Sequence, residues 1–173
     1  DHDYRVISIS RAKHAAACSI GFAYEKRSQF MPLLNKEQIK EIIPHRDPFL
    51  LIDEVLELEP GVRAVATKYL RPDEDWFRGH FPQAPVQPGV LTIEMLAQTG
   101  AVCVLSLPEN KGKLAFFAGI DKARFRGQVL PGDTLRLEME MIKNRGSVGI
   151  GKAVAYVGDK RVVTAELTFA LSK

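Results

Sequence analysis

The chain contains one long apolar stretch with helical spacing and several shorter stretches in which apolar and polar residues alternate. In residues 90–107, Ile93, Leu96 and Ala97 recur at intervals of three and four, which predicts a helix. Glu94 is the only charged residue of this stretch. Because the predicted helix is apolar on most of its faces, other elements must cover most of it.

Alternation with a period of two, which is typical of strands, dominates the rest of the chain. Leu135, Leu137 and Met139, for example, are separated by charged residues. A short helix precedes the strands, because Asn35 and Gln38 have the spacing of a capping box. The predicted strands are residues 49–58, 63–70, 114–120, 123–129, 134–144, 147–157 and 161–171.

These elements predict an α+β protein in which a curved antiparallel sheet of about six strands wraps a long central helix. Residues 71–87, rich in proline and aromatic side chains, cannot form regular structure and are too apolar for a solvated linker. We therefore expect residues 31–173 to form a single domain.

Residues 1–30 show no turn signal, no clear period and no cap, and Met31 follows as a plausible start. We expect this segment to lie outside the fold. It is interpreted as vector-derived or as a misread upstream segment, with an organellar transit peptide as the alternative. The corresponding prediction for location is the cytoplasm, or a plastid-type organelle if residues 1–30 are a transit peptide.

Composition excludes several classes of protein. A net charge of +3 without a run of Lys or Arg argues against nucleic-acid binding. Polar residues interrupt the long apolar stretch, which argues against a membrane span there. The two cysteines exclude a disulfide framework, and no phosphate-loop, dinucleotide or zinc-protease motif is present. We therefore expect no nucleic acid, no membrane, no cofactor and no metal.

The best candidates for chemistry lie in and just before the long helix. A lone carboxylate such as Glu94 is costly on a buried helix unless a partner compensates it, and Gln98 lies one turn further on the same side. The alternative is that Glu94 is partly exposed in the first helical turn. His80 can act as a base near neutral pH. Gly89 opens the helix, where free N–H groups can bind an oxyanion.

Three segments carry a resemblance to a known family. The segment GHFPQAPVQPGVLTIEMLAQ (residues 79–98) closely resembles the signature of the (3R)-hydroxyacyl-acyl-carrier-protein dehydratases of bacterial-type fatty acid synthesis. PHRDPFLLID (44–53) and LAFFAGIDKARFR (114–126) also resemble that family, and the resemblance extends from about residue 34 to the C-terminus.

The resemblance implies a hot-dog fold and a homodimer with active sites between the subunits, often assembled into a trimer of dimers. It identifies His80 and Glu94, from opposite subunits, as the base and acid that convert the 3-hydroxyacyl chain to a trans-2-enoyl chain. It also implies that the Gly89 N–H binds the thioester oxygen and that Gln98 positions Glu94. His45 lies in a family segment, and we assign it a structural role.

The resemblance further implies an acyl tunnel and an acidic acyl carrier protein as partner. The tunnel candidates are Phe49, Phe116, Phe117 and Phe125. We expect at least half of them to belong to the ordinary core. The candidates for a carrier-protein patch are Lys122, Arg124 and Arg126, which could equally form a solvated strand face.

Three other functions are compatible with parts of this pattern. A hot-dog thioesterase would share the fold but hydrolyse the thioester, and the paired His80 and Glu94 argue against it. A dehydratase with added isomerase activity is a second alternative, although the dehydratase-isomerases carry aspartate at the Glu94 position. A non-catalytic acyl-binding module is the third, and it would not need His80 or Glu94.

Overall fold

The structure, a computed structural model, describes residues 32–173. It contains two α-helices, α1 (Lys36–Ile42) and α2 (Gly89–Leu105). Two short 3-10 turns cover Asp75–Arg78 and Pro108–Asn110. The six strands are β1 (Glu54–Glu59), β2 (Arg63–Tyr69), β3 (Ala115–Phe125), β4 (Thr134–Arg145), β5 (Val148–Val157) and β6 (Lys160–Leu171). The predictions for residues 1–30, including the chain start at Met31, concern positions outside the described residues.

The six strands form one antiparallel sheet in the order β1-β2-β4-β5-β6-β3. Helix α2 contacts every strand of this sheet. A flat sheet of six strands would be about 24 Å wide, more than twice the diameter of a helix. The sheet must therefore curve around α2, as the sequence pattern predicts.

The core lies between α2 and the concave face of the sheet. Of the seventeen residues of α2, thirteen are buried, among them Met95 and Leu96. Gly100 faces β6 so closely that a Cβ atom there would lie 2.6 Å from the Phe169 ring. Cys103 is fully buried, as predicted, and burial raises the pKa of its thiol to about 11.

Most predicted elements are present, with two differences in the strands. The capping box at Asn35 and Gln38 is formed and α1 ends before Pro44. Strand β1 begins at Glu54 instead of residue 49, because the Phe49 carbonyl and the Leu51 N–H bond the Gln98 side chain and not a neighbouring strand. The two strands predicted for residues 114–129 are one strand, β3, whose irregular register near Lys122 resembles a break in the sequence pattern.

Candidate active site

His80 lies in the irregular segment between β2 and α2, and backbone hydrogen bonds hold it there. The Trp76 carbonyl accepts a hydrogen bond from the His80 N–H at 2.9 Å. Val86 N–H donates to the His80 carbonyl at 2.9 Å, which closes the loop from the other side. The Phe81 ring stacks on the imidazole with 4.2 Å between ring centroids. The position of the imidazole is therefore defined from three directions.

The hydrogen bond of the His80 ring determines which nitrogen can act as a base. Nδ1 lies 2.9 Å from the Val86 carbonyl oxygen. Because a carbonyl oxygen only accepts hydrogen bonds, Nδ1 must carry the proton of the neutral ring. Nε2 then has a free lone pair and can take a proton from a substrate.

His80 lines a cavity of about 650 Å³ at the start of α2. The other lining residues include Gly89, Thr92 and Phe125. A Cβ atom at Gly89 would lie 2.6 Å from the Phe125 ring, so the ring approaches the helix start as closely as a glycine allows. The unpaired N–H groups of the first helical turn begin at this wall of the cavity.

Glu94 lies in the second turn of α2, and its side chain is 19% exposed. The alternative that it lies in the first turn is therefore wrong. Gln98 Nε2 donates to Glu94 Oε1 at 3.0 Å and to the Phe49 carbonyl at 2.9 Å. Gln98 Oε1 accepts from the Leu51 N–H at 2.8 Å. The buried Gln98 amide is thus fixed at both ends and holds one oxygen of Glu94.

His45 is a neighbour of Glu94 that sequence reasoning did not connect with it. Nε2 of His45 lies 3.8 Å from Glu94 Oε1. Burial lowers the pKa of His45, the Glu94 carboxylate opposes this, and Arg46 adds to the lowering. The only signal in the sequence was that His45 belongs to one of the three segments that resemble the dehydratases.

Within one chain, His80 and Glu94 do not share a cavity. The residues that line the His80 cavity include no carboxylate. Glu94 is itself absent from that lining, and its Oε1 instead contacts Gln98 and lies 3.8 Å from His45. The base and the carboxyl group therefore have separate surroundings in the part of the chain that the structure describes.

Comparison with known proteins identifies the family. Residues 43–166 match the model of the FabA-like domain. The chain is 58% identical over 141 residues to the 3-hydroxyacyl-[acyl-carrier-protein] dehydratase FabZ of Bacillus cytotoxicus, covering 82% of this chain and 98% of the relative. It is equally similar, 58% over 139 residues, to the enzyme of the same name from Bacillus thuringiensis, with coverage of 80% and 96%. The chain belongs to the FabZ family.

The fold agrees with this assignment. A chain of the dehydratase heterocomplex ApeI:P from Xenorhabdus doucetiae superposes with a TM-score of 0.66 at 17% identity, covering 84% of this chain and 93% of that one. The predicted family and the predicted hot-dog fold are therefore both confirmed. None of the helices within residues 32–173 is long and apolar enough to cross a membrane.

In this FabZ-family chain the four tunnel candidates are all exposed. The expectation that at least half of them are core is wrong, because in one chain none of the four side chains is buried. Phe125 lines the His80 cavity, whereas Phe49 does not. The Phe49 carbonyl accepts a hydrogen bond from Gln98, the residue that holds Glu94. The exposed fractions are 51% for Phe49, 54% for Phe116, 41% for Phe117 and 55% for Phe125.

The three patch candidates lie together in a shallow groove on β3, β5 and β6. Lys122, Arg124 and Arg126 line it together with Lys152 and Arg161. The last two were missed by sequence reasoning because they come from other strands and join the patch only through strand pairing. Arg126 also borders the His80 cavity, so the groove and the cavity are adjacent.

Proposed function

We propose that this chain is a hydro-lyase that dehydrates 3-hydroxyacyl chains carried by acyl carrier protein to trans-2-enoyl chains in fatty acid biosynthesis. The supporting observation is the 58% identity to two FabZ enzymes over nearly their whole length. His80 and Glu94 both lie within residues 43–166, which match the FabA-like domain. The resemblance to bacterial-type synthesis also leads us to propose a cytoplasmic enzyme.

In the proposed reaction His80 begins as the base. Its Nε2 takes a proton from C2 of the acyl thioester while N–H groups at the start of α2, with Gly89 first, bind the thioester oxygen. The electron pair left at C2 forms the C2–C3 double bond, and the C3–O bond breaks. Glu94 gives its proton to the departing hydroxyl, which leaves as water. Gln98 holds the carboxyl group in place for this transfer.

We propose that Glu94 reaches the His80 cavity from a second subunit. Strand β3 is last in the sheet order, so within the described residues one of its edges has no strand beside it. Phe116, Ile120 and Phe125 of this strand are each more than half exposed. A long apolar edge strand is an aggregation risk unless it is covered. Pairing of two β3 edges in a homodimer would cover it, and by family resemblance we propose a trimer of such dimers.

The basic groove is proposed as the landing site for the acidic carrier protein. Five cationic side chains line the groove, with Glu166 as the one acidic residue among its lining residues. Complementary charge accelerates association more than it raises affinity. Because the groove adjoins the His80 cavity, a carrier bound there would deliver its acyl chain to the proposed base.

The test is turnover of a 3-hydroxyacyl carrier-protein substrate by wild type, His80→Ala and Glu94→Ala. We expect enoyl product from wild type and a loss of at least about a hundredfold in each variant, since each removes one proton-transfer group. Lys143→Ala, on an exposed position of β4, serves as the control that keeps full activity.

Three results would contradict the proposal. A wild-type protein that forms no enoyl product is not this dehydratase. Release of free thiol without enoyl formation would indicate a thioesterase. Full activity of both variants would show that His80 and Glu94 are dispensable.

A further inference from the structure

Two side chains bind each other across the base of the loop that carries His80. The indole Nε1–H of Trp76 donates to Oε1 of Gln87 at 2.8 Å. Gln87 is 5% exposed, and Trp76 is partly buried. The indole has a single hydrogen-bond donor, and that donor is used for one buried amide eleven residues away in the sequence.

The backbone of the same two residues holds the two ends of the loop. The Trp76 carbonyl accepts from the N–H groups of Gly79 and His80, at 3.2 and 2.9 Å. The Gln87 N–H donates to the Val129 carbonyl at 2.8 Å, which anchors the far end of the loop. The side-chain bond thus joins the residue that positions His80 to the residue that is fixed against the body of the protein.

Gln87 also stands two residues before the start of α2. Gln87, His80 and Gly89 line the same cavity. A change in the distance between Trp76 and Gln87 would therefore move the imidazole relative to the first turn of α2. In the proposed reaction the imidazole is the base, and the first turn of α2 supplies the oxyanion donors. The distance between them must fit a substrate that contacts both.

The Gln87 amide has few other partners to hold it. Its Nε2 contacts the Met95 sulfur at 3.9 Å, which is a weak interaction. If either Trp76 or Gln87 loses its polar group, the other is left buried without its strong hydrogen bond. Removing both groups leaves no such orphan, so the loop can relax with less penalty.

From this geometry we propose that Trp76 and Gln87 are positioning residues for the dehydration, and that their hydrogen bond sets the separation between His80 and the N-terminus of α2. The inference rests on the proposed function and deepens it. Neither residue touches the reacting atoms in this scheme.

The experiment compares Trp76→Phe, Gln87→Met and the double variant with wild type. Gln87→Met keeps the length of the side chain, Trp76→Phe keeps an aromatic ring, and both remove the hydrogen bond. We expect each single variant to lower kcat about tenfold and to change KM by less than about twofold, because misplaced groups weaken the transition state more than binding. The double variant should be no slower than the slower single variant, because the two groups act as one pair.

A matched control removes a buried amide at the other end of α2. Asn110 is 7% exposed, and its Nδ2 donates to the Val104 carbonyl at 3.0 Å. Val104 is about 22 Å from Gly89 along the helix axis. Asn110→Leu should lower Tm, because it also removes a buried hydrogen bond, and should leave kcat unchanged.

The hydrogen bond between Trp76 and Gln87 has its own spectroscopic signal. Trp76 is the only tryptophan of the chain, so its indole N–H gives one resonance in a ¹H–¹⁵N spectrum. In Gln87→Met we expect this resonance to move upfield and to exchange faster with water, and in Asn110→Leu to stay in place.

The outcomes separate this inference from the proposed function. If wild type forms no enoyl product, the proposed function fails, whereas the indole resonance still reports whether the hydrogen bond between Trp76 and Gln87 exists. If wild type is active, unchanged kcat in both single variants would overturn the inference. The inference would also be overturned by losses of kcat that multiply in the double variant, by an equal loss of kcat in Asn110→Leu, or by an indole resonance that does not shift in Gln87→Met.

Discussion

His45 shows how the surroundings of a single residue change its expected role. Its Nδ1 is buried and has no hydrogen-bond partner within residues 32–173, while Nε2 lies 3.8 Å from Glu94. Burial lowers the pKa of this imidazole more than the nearby carboxylate raises it. A neutral His45 therefore stands beside the proposed acid at pH 7, and a protonated one would change the charge around Glu94.

The lowered pKa of His45 predicts a loss of stability in mild acid. Below its ordinary value of 6.5 the unfolded chain binds a proton that the folded chain does not. The free energy of unfolding is therefore unaffected by this group above pH 6.5 and falls as the pH decreases toward the folded-state pKa, by at most about 1.4 kcal/mol per pH unit. Urea unfolding between pH 7 and 5 should show a smaller decline in His45→Gln.

Thr99→Val is the control for this measurement, because it alters a buried hydroxyl that bonds the Met95 carbonyl and adds no titratable group. It should keep the wild-type dependence on pH. Identical slopes in wild type and His45→Gln would show that His45 does not resist protonation in the folded protein.

Among the elements, the connection from β2 to α2 is held by a cluster of charged side chains around the buried Lys68. Lys68 of β2 is 6% exposed, and its Nζ lies 3.0 Å from Glu74 Oε1 and 3.4 Å from Asp53 Oδ1. Glu74 immediately precedes the 3-10 turn that contains Trp76. Charge pairing therefore attaches the start of the His80 loop to the sheet, where the chain has no regular structure.

We predict that Lys68→Met destabilises the fold by about 3 kcal/mol, because it takes the nearer and buried cation from the Glu74 carboxylate and leaves only the exposed Arg71, at 3.7 Å. The double variant Lys68→Met/Glu74→Gln should recover part of this loss, since the buried residue 74 is then uncharged and only the more exposed Asp53 and Arg71 lose a partner. Chemical unfolding of the three proteins measures both effects. A single variant as stable as wild type, or a double variant that sums two large losses, would contradict this view of the pair.

For the whole molecule, the decisive question is which subunit supplies each half of the site. One chain presents His80 in a cavity without a carboxylate, and Glu94 outside the lining of that cavity, beside His45. Val90 at the start of α2 is 70% exposed, and β3 presents exposed apolar side chains, so both could be covered by a further chain such as the second copy we propose. A shared site follows from this geometry if the proposed dimer forms.

Mixed dimers test the shared site directly. When His80→Ala and Glu94→Ala chains are co-expressed in equal amounts, half of the dimers contain one of each and have one intact site of two. Activity should then recover to about a quarter of wild type, although each variant alone is inactive. No recovery in purified mixed dimers, isolated through two different tags, would show that His80 and Glu94 act within one chain.

The sequence by itself determined the family, the α+β class, the capping box at Asn35 and the choice of His80 and Glu94. These features depend on residues within a few turns of each other, or on contiguous segments, so they can be recognised along the chain. Only the tertiary structure showed that β3 is one irregular strand, that His45 meets Glu94, and that Lys152 and Arg161 join the basic groove. Such contacts depend on strand register and on how the sheet curves around α2, which no local pattern encodes.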